Sequence, residues 1–489
     1  MMMYEGFAVS EKGYQHILNH TVCQDSTQYL QDADCVVATV ADGHGSKQYF
    51  RSDRGSRFAA EIACNKIREF LKSITFPFPD SKTKKSVVTQ LIHSIITEWH
   101  IAVRNDLIKS PFTPDELERV PEKYQKTFQF FTEENYRAHT ESEISDLIQK
   151  EHSHVQKAYG TTLIAVGLCK SYAIGLHIGD GKCVALYEDG TMDEPIPWDE
   201  NCHLNRCTSI CDKNAASEFR CHIWDNQIPV AIFLGTDGID DTFAEMLHSF
   251  YRNVALDFLH DNFRKRTEML QANLANISKS GSHDDVSIAG ILDVQKLSAI
   301  EQTLQQITKL ETLTAQKKHL QDTIQELQFQ LEKMQRLLSQ SAETPETEEK
   351  IKRYLEKKRK IEEKLSEQQQ KLASVTRDIT AVQRGWEEKD EASGQVQAAD
   401  TEEKTQDNVA ICPTVSEDDR SQEITAQQDA QEAHIPACET ETASAQPEEF
   451  SLDAAEPDSA ESDNAGEVND AVPEEIISES ESENEWEEE

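Results

Sequence analysis

The hydrophobic pattern changes character twice along this chain of 489 residues. Through residue 293 it consists of short apolar runs at 35–41, 162–168, 172–178, 183–187, 230–236 and 286–292, each of strand length. Several are apolar at consecutive positions, which predicts strands covered on both faces. The stretch 161–187 reads as a meander, with Lys170-Ser171 as one turn and Gly179-Asp180-Gly181 as the next. Segments 53–73, 83–109 and 241–277 predict helices: Phe58, Ile62, Ile67 and Leu71 fall near helical spacing, and Val87, Leu91, Ile95 and Trp99 step by four. Strands facing strands with long helices outside predict a layered α/β fold, an α-β-β-α sandwich of mostly antiparallel sheets. Residues 110–157 read as a charged, aromatic-bearing insertion, helical in part and broken by Pro111, Pro114 and Pro121; residues 189–227 read as an irregular polar flap.

From 294 to 390 the rhythm becomes that of a coiled coil. Leu320, Ile324, Leu327, Leu331, Met334 and Leu338 alternate steps of four and three, and a second series runs from Ile351 through Ile361, Leu372 and Val382 to Trp386. Ser341-Ala342-Glu343-Thr344-Pro345 separates the two, so the pattern predicts an antiparallel helical hairpin, with a homodimer through the coiled coil as the assembly it would favour. Residues 391–489 hold 31 Asp and Glu against 2 Lys and Arg, a net of −29, leaving −12 of the chain's −41 for everything before them. So charged a segment with few aromatics predicts a disordered acidic tail. The expected division is therefore 1–293, 294–390 and 391–489.

The negative balance argues against nucleic acid or an anionic membrane surface as partner. The N-terminal residues lack the basic and apolar regions of a secretory signal, and no apolar stretch has the length of a membrane span. Eleven scattered cysteines, five of them in or beside apolar runs, fit reduced core positions and a cytoplasmic location. Cys202, His203, Cys207, Cys211, Cys221 and His222 gather in the flap, but their spacing has no Cys-x-x-Cys knuckle and does not predict a zinc site.

The chemistry lies where apolar runs end. Asp42-Gly43-His44-Gly45 follows 35–41, Asp180 follows 173–179, Asp237 follows 230–236, and Asp284-Asp285 precedes 286–292. A carboxylate at the mouth of a buried strand is unfavourable unless a cation sits with it. Hard divalent ions such as Mg²⁺ or Mn²⁺ take carboxylate, carbonyl and water oxygens, so the pattern predicts a metal-dependent hydrolase. Taken singly, each Asp-Gly pair is ordinary turn chemistry; the repetition carries the reading.

Cys23-Gln24-Asp25-Ser26, Asp42-Gly43-His44-Gly45, Gly160-Thr161-Thr162-Leu163, His177-Ile178-Gly179-Asp180-Gly181, Thr236-Asp237-Gly238-Ile239-Asp240-Asp241 and Ser282-His283-Asp284-Asp285-Val286-Ser287, in that order, resemble the motifs of the PPM/PP2C family of metal-dependent Ser/Thr phosphatases, in its bacterial branch. The resemblance covers residues 5–293. It implies two Mg²⁺ or Mn²⁺ ions held by Asp25, Asp42, Asp237 and Asp284, with Asp42 bridging and the Gly43 carbonyl adding an oxygen. Asp180, with Asp237, would match a weaker third site. It further implies phosphorylated proteins as substrates, a cognate Ser/Thr kinase, and attack by a metal-bridging hydroxide without a phospho-enzyme. His44 would give the leaving alkoxide its proton. Where eukaryotic relatives carry a phosphate-gripping Arg, this chain has His20. His16, Arg51 and Arg54 are the candidates for contact with the substrate phosphate, guanidinium matching phosphate geometry. Thr161 and Thr162 read as strand residues near the site, since no base stands beside them. The rival reading is a non-catalytic scaffold that keeps the fold and assembles partners through the coiled coil; loss of the metal aspartates would mark it, and all four are present.

Overall fold

The computed structural model describes residues 4–140, 142–144, 146, 152–202, 207–343 and 348–406. Two antiparallel five-stranded sheets face one another. The first runs in the order β1 (Tyr4–Glu11), β10 (Val286–Asp293), β9 (Ala231–Gly235), β6 (Lys182–Leu186), β7 (Met192–Asp193). The second runs β2 (Ser26–Gln31), β3 (Cys35–Ala41), β4 (Leu163–Cys169), β5 (Ala173–Ile178), β8 (Arg220–Trp224).

The unbroken apolar runs are explained by three cores. In β3, Val36, Ala38 and Val40 point between the sheets, where they meet Ile164, Val166, Cys183, Ile232, Leu234 and Ile291. Val37 and Ala41 point outward, beneath the helices Ser52–Ser73 and Ser81–Lys109, into a cluster with Ala63, Ile67 and Trp99. The first sheet turns Phe7, Val184, Phe233 and Ile288 toward Leu247, Tyr251 and Leu274 on the helices Leu247–Asp257 and Phe263–Ser280. Each central strand therefore needs apolar residues at both parities, and the order of layers is helix, sheet, sheet, helix.

Several expectations change. The meander over 161–187 breaks after β5: β4 and β5 form a hairpin with Leu168 opposite Ala173, but β6 joins the other sheet beside β9. Gly179-Asp180-Gly181 is thus the crossover between sheets. Gly179 has φ +114, which favours glycine, and a Cβ there would come within 2.5 Å of the Thr162 side chain. The helix expected over 241–277 is three pieces, Asp237–Phe243, Leu247–Asp257 and Phe263–Ser280; Ala244 at φ 44 interrupts the first junction, and Asn262 caps the last piece by accepting the Arg264 N–H. The flap holds β7, the short helix Ala215–Glu218 and β8, which closes the edge of the second sheet with Trp224 opposite Ala173.

Within 110–157 the described residues are helical in part, and several pack into the core. Thr113 and Glu116 form a capping box on the helix Pro114–Glu118, and Pro121 stands immediately before the helix Glu122–Phe128, so these prolines begin helices. Phe112, Val120, Phe128 and Phe131 are buried and belong to the same core as Trp99.

The C-terminal hairpin consists of the helices Val294–Glu343 and Glu348–Gln406. Leu320, Ile324, Met334 and Val375 are buried along its seam, and Gln306, Lys309 and Leu313 share a shallow cleft with Asp378, Ala381 and Val382. The second helix continues past the expected boundary at 390, because Glu, Ala, Gln and Lys after it all favour helix. The rest of the acidic tail, 407–489, lies outside the described residues. β10 leads straight into the first helix, whose opening N–H groups, those of Gln295 and Lys296, donate to the Asp293 carboxylate. Leu297 and Leu304 are fully buried against the cluster containing Leu247 and Tyr251, and Arg252 pairs with Glu311. Among the described residues, no helix is long and apolar enough to cross a membrane.

Candidate metal centre

Antiparallel pairing brings the C-terminal ends of β3, β5 and β9 and the N-terminal ends of β2 and β10 to one end of the sandwich. Ser26 lies opposite Ala41, and Gly235 opposite Ile288. The residues just beyond these ends are Asp25, Asp42, Asp180, Asp237 and Asp284. Carboxylate oxygens of Asp42, Asp180 and Asp237 lie within 4.8 Å of one another. A second group, at the same spacing, joins His16, Asp284 and Asp285.

The carboxylates strain against one another. The Asp42 carboxyl is held well above the usual range, first by burial and then by the charges of Asp237, Asp25, Asp180 and Asp284. Burial, then Asp180 and Asp284, push Asp237 up to about 7. Burial and Asp285 take Asp25 to about 8, although it accepts a 2.8 Å hydrogen bond from the Thr236 hydroxyl. Asp180 is raised chiefly by burial, which the neighbouring Cys207 thiol partly offsets. Gathered acids that raise one another in this way lack positive charge, and a divalent cation supplies it. The oxygen-rich donor set fits Mg²⁺ or Mn²⁺.

Local backbone contacts fix the loop that carries Asp42. Its N–H donates to the Thr162 hydroxyl at 3.0 Å, while its carbonyl accepts from the Thr162 N–H at 2.8 Å and the Thr161 hydroxyl at 2.7 Å. Gly43 donates to the Gln24 carbonyl at 3.1 Å, and a Cβ on it would fall 2.6 Å from that same oxygen. The Gln24 side chain donates to the His44 carbonyl and to the Ser52 hydroxyl. Gln24, Thr161 and Thr162 are therefore positioning residues. The sequence placed the threonines near the site but carried no sign that they hold Asp42, because the link spans 120 positions.

Asp285 has a different task from Asp284. It is buried and accepts from Gly13 N–H and Gln24 N–H, both at 2.6 Å, and from His16 Nδ1 at 2.9 Å. Burial raises its carboxyl, but the bonds from His16, Gly13 and Gln24 outweigh that and hold it below the usual range. Asp284 is exposed and acts by charge on Asp42 and Asp237.

His44 stands half-buried beside the trio, edge-on to Tyr49 with ring centres 4.7 Å apart. Burial pushes its imidazole down to about 4. His16 is raised, first by its hydrogen bond to Asp285.

Arg51 and Arg54 do not face the cluster. Arg51 is 1% exposed, and all five of its N–H donors are used: two on Glu116, the others on Ser110 and Pro111 carbonyls and the Tyr159 hydroxyl. Its guanidinium also lies 4.6 Å over the Phe112 ring. Arg54 pairs with Asp106 at 3.0 Å, and Asp106 accepts from Tyr159 as well. Arg51 fastens the stretch from Ser110 to Glu116 to the sandwich, and Arg54 ties its helix to Ser81–Lys109; the Arg51 guanidinium, with every donor occupied, has none for phosphate. Their place just past the Asp42 loop suggested the phosphate role, and the acids that claim them lie 52 to 65 positions away.

A family model described as protein phosphatase 2C matches residues 12–277. No curated protein matches the chain. Among solved structures, Ser/Thr phosphatase Stp1 from Staphylococcus aureus is 11% identical over 60% of this chain and 95% of its own, with a TM-score of 0.33. The catalytic domain of the Ser/Thr protein phosphatase PstP, in complex with two manganese ions, is 12% identical over 59% and 97%, with a TM-score of 0.31. RsbX in complex with magnesium is 10% identical over 59% and 94%, with a TM-score of 0.30.

Proposed function

This chain belongs to the protein phosphatase 2C family, and on that premise we propose that it hydrolyses phosphoserine and phosphothreonine in proteins. The observation that carries the reading is the convergence of Asp42, Asp180 and Asp237 oxygens within 4.8 Å at the end of the sandwich. Asp42 and Asp237 would hold Mg²⁺ or Mn²⁺ together with Asp25, Asp284 and the Gly43 carbonyl, and Asp180 would serve a third ion with Asp237. Such ions, when bound, offset the charge of the phosphate and make water a nucleophile near neutral pH.

The protein's own part is arrangement. Thr161, Thr162 and Gln24 fix the Asp42 loop, so the carboxylates meet the cation without reorganising. His44, beside Gly43, is placed to protonate the leaving alkoxide. A bound phosphate dianion would favour its charged form against the burial that lowers it. Of the three residues first considered for the phosphate, His16 alone stands at the rim of the cluster, aimed by Asp285.

We assign catalysis to residues 1–293 and partner assembly, including homodimerisation, to the hairpin. The phosphoprotein substrate and its kinase would be found through that assembly. The test is release of phosphate from phosphoserine and phosphothreonine peptides by the full-length protein, with Mn²⁺ and after its removal by EDTA. Turnover that requires the metal is expected. Calorimetric Mn²⁺ binding without turnover on any phosphoester would instead establish the scaffold.

A further inference from the structure

The flap reaches the acidic cluster through two consecutive buried residues, Thr208 and Ser209. The Thr208 hydroxyl accepts the Gly179 N–H at 3.1 Å and donates to the Asp199 carboxylate at 2.7 Å. Arg220, on β8, holds the same glycine from its other side, donating to the Gly179 carbonyl at 2.7 Å. Gly179 is the residue before Asp180, so the flap fixes the backbone from which that carboxylate projects. The Ser209 hydroxyl accepts the Thr161 N–H at 3.1 Å and donates to the Thr161 carbonyl at 3.0 Å. That carbonyl also accepts the Ile210 N–H at 3.0 Å, and the Ser209 N–H is braced on Asp212 at 2.9 Å. Thr161 in turn bonds the Asp42 carbonyl through its hydroxyl. Ser and Thr hydroxyls commonly bond within their own turn, whereas these two reach across 29 and 48 positions. One leads to Asp180, the other to Asp42.

We propose that Thr208 and Ser209 are positioning residues for cation binding, Thr208 for the ion at Asp180 and Ser209 for the ion at Asp42. The proposal rests on the cation reading of the acidic cluster and deepens it by bringing the flap into the site. Carboxylates that repel one another stay convergent only where their backbones are held. Each loop fixed before the ion arrives spares the ion the entropy of ordering it. Both loops need such a hold, because both lie beyond the sheet ladder: β5 pairs with β4 only as far as Ile178 opposite Leu163. Asp180 stands past that last pair, and Thr161 stands before it. Residues that merely support the fold would change stability alone; these two should change cation affinity, each at its own ion.

The test is Mn²⁺ calorimetry on the full-length protein, with urea unfolding of each variant beside it. Ser209→Ala should weaken Mn²⁺ binding roughly three- to tenfold, the effect of losing one buried hydrogen bond. Thr208→Val should weaken it by a similar factor, and Thr208→Ser, which keeps the hydroxyl, should bind as the wild type does. Asp180→Asn removes the ion that Thr208 serves. In that background Thr208→Val should change nothing further, while Ser209→Ala should still weaken binding. Lost stability with unchanged Mn²⁺ affinity in both single variants overturns the positioning role. An equal effect of Thr208→Val with and without Asp180 overturns its assignment to that ion. Should a variant not fold, hydrogen exchange on the wild type decides: the Thr161, Gly179, Ser209 and Ile210 amides should exchange more slowly in Mn²⁺, and unchanged exchange overturns the proposal. A wild type that binds no Mn²⁺ would remove the cation reading, and this proposal with it.

Discussion

Thr162 grips Asp42 on both sides, its hydroxyl accepting the Asp42 N–H at 3.0 Å and its own N–H donating to the Asp42 carbonyl at 2.8 Å. The carboxylate at the centre of the acidic cluster is therefore aimed by the residue that immediately precedes the neighbouring strand β4. Thr162→Val keeps the shape and removes the acceptor. It should cost about 1–3 kcal/mol of stability, the penalty for a buried N–H left unpaired. It should also weaken Mn²⁺ binding, read by denaturant unfolding and calorimetry. Thr162→Ser should restore both; a valine variant with normal Mn²⁺ affinity would show that the grip does not aim Asp42.

The mutual repulsion of the acids predicts opposite responses with and without metal. Asp42→Asn removes one charge from a crowded cluster, so in EDTA the variant should melt above the wild type. Added Mn²⁺ at a hundred times its dissociation constant should stabilise the wild type by about 2.7 kcal/mol and the variant hardly at all. Asp237→Asn should behave alike, and both should lose metal-dependent turnover. Equal Mn²⁺-induced shifts in melting temperature for wild type and variants would remove these residues from the site.

Arg51 separates a structural from a substrate role. Arg51→Met leaves Glu116 without its buried partner, and a loss of about 3–5 kcal/mol is expected in urea unfolding. The KM for p-nitrophenyl phosphate of the folded fraction should stay within about twofold of wild type, since surrounding geometry is otherwise kept. A large rise in KM with unaltered stability would return Arg51 to the phosphate.

His44→Ala tests proton donation. General-acid help is worth about 10²–10⁴-fold and is needed most where the leaving group is most basic. Phosphoserine peptides should therefore slow far more than p-nitrophenyl phosphate at equal metal occupancy. Parallel losses, together with a higher Mn²⁺ requirement, would make His44 a support for the Asp42 loop.

The start of the hairpin should behave as core. Leu304→Ala in the full chain should cost about 2–5 kcal/mol, as other buried leucines do, while Phe329→Ala, 68% exposed, should cost about 0.5 kcal/mol or less. The same packing means that a fragment ending at 293 uncovers Leu247 and Tyr251 and should be less stable than one ending after Glu311. Equal melting temperatures for the two fragments would show that the first helix only rests on the sandwich.

The sequence by itself determined the parts whose signal is local. Unbroken apolar runs located β3, β4, β5, β6, β9 and β10, the alternating four-three rhythm located the hairpin, and aspartates at strand ends located the cluster. The edge strands β2 and β8 escaped because one side of each is open to solvent, so Ser26–Gln31 and Arg220–Trp224 carry polar residues and little periodicity. Tertiary structure alone decided which sheet each strand joins, because a turn such as Gly179-Asp180-Gly181 can close a hairpin or cross between layers with the same residues. It also decided the fate of the charges. An arginine just past the Asp42 loop reads as a phosphate ligand until the fold brings Glu116 and Tyr159 to it. Asp284 and Asp285 are adjacent and chemically identical, yet one stays exposed beside the cluster while the other is enclosed by Gly13, His16 and Gln24. Hydrogen-bond partners 52 to 272 positions apart leave no trace in local pattern, and it is those partners that set what each side chain does.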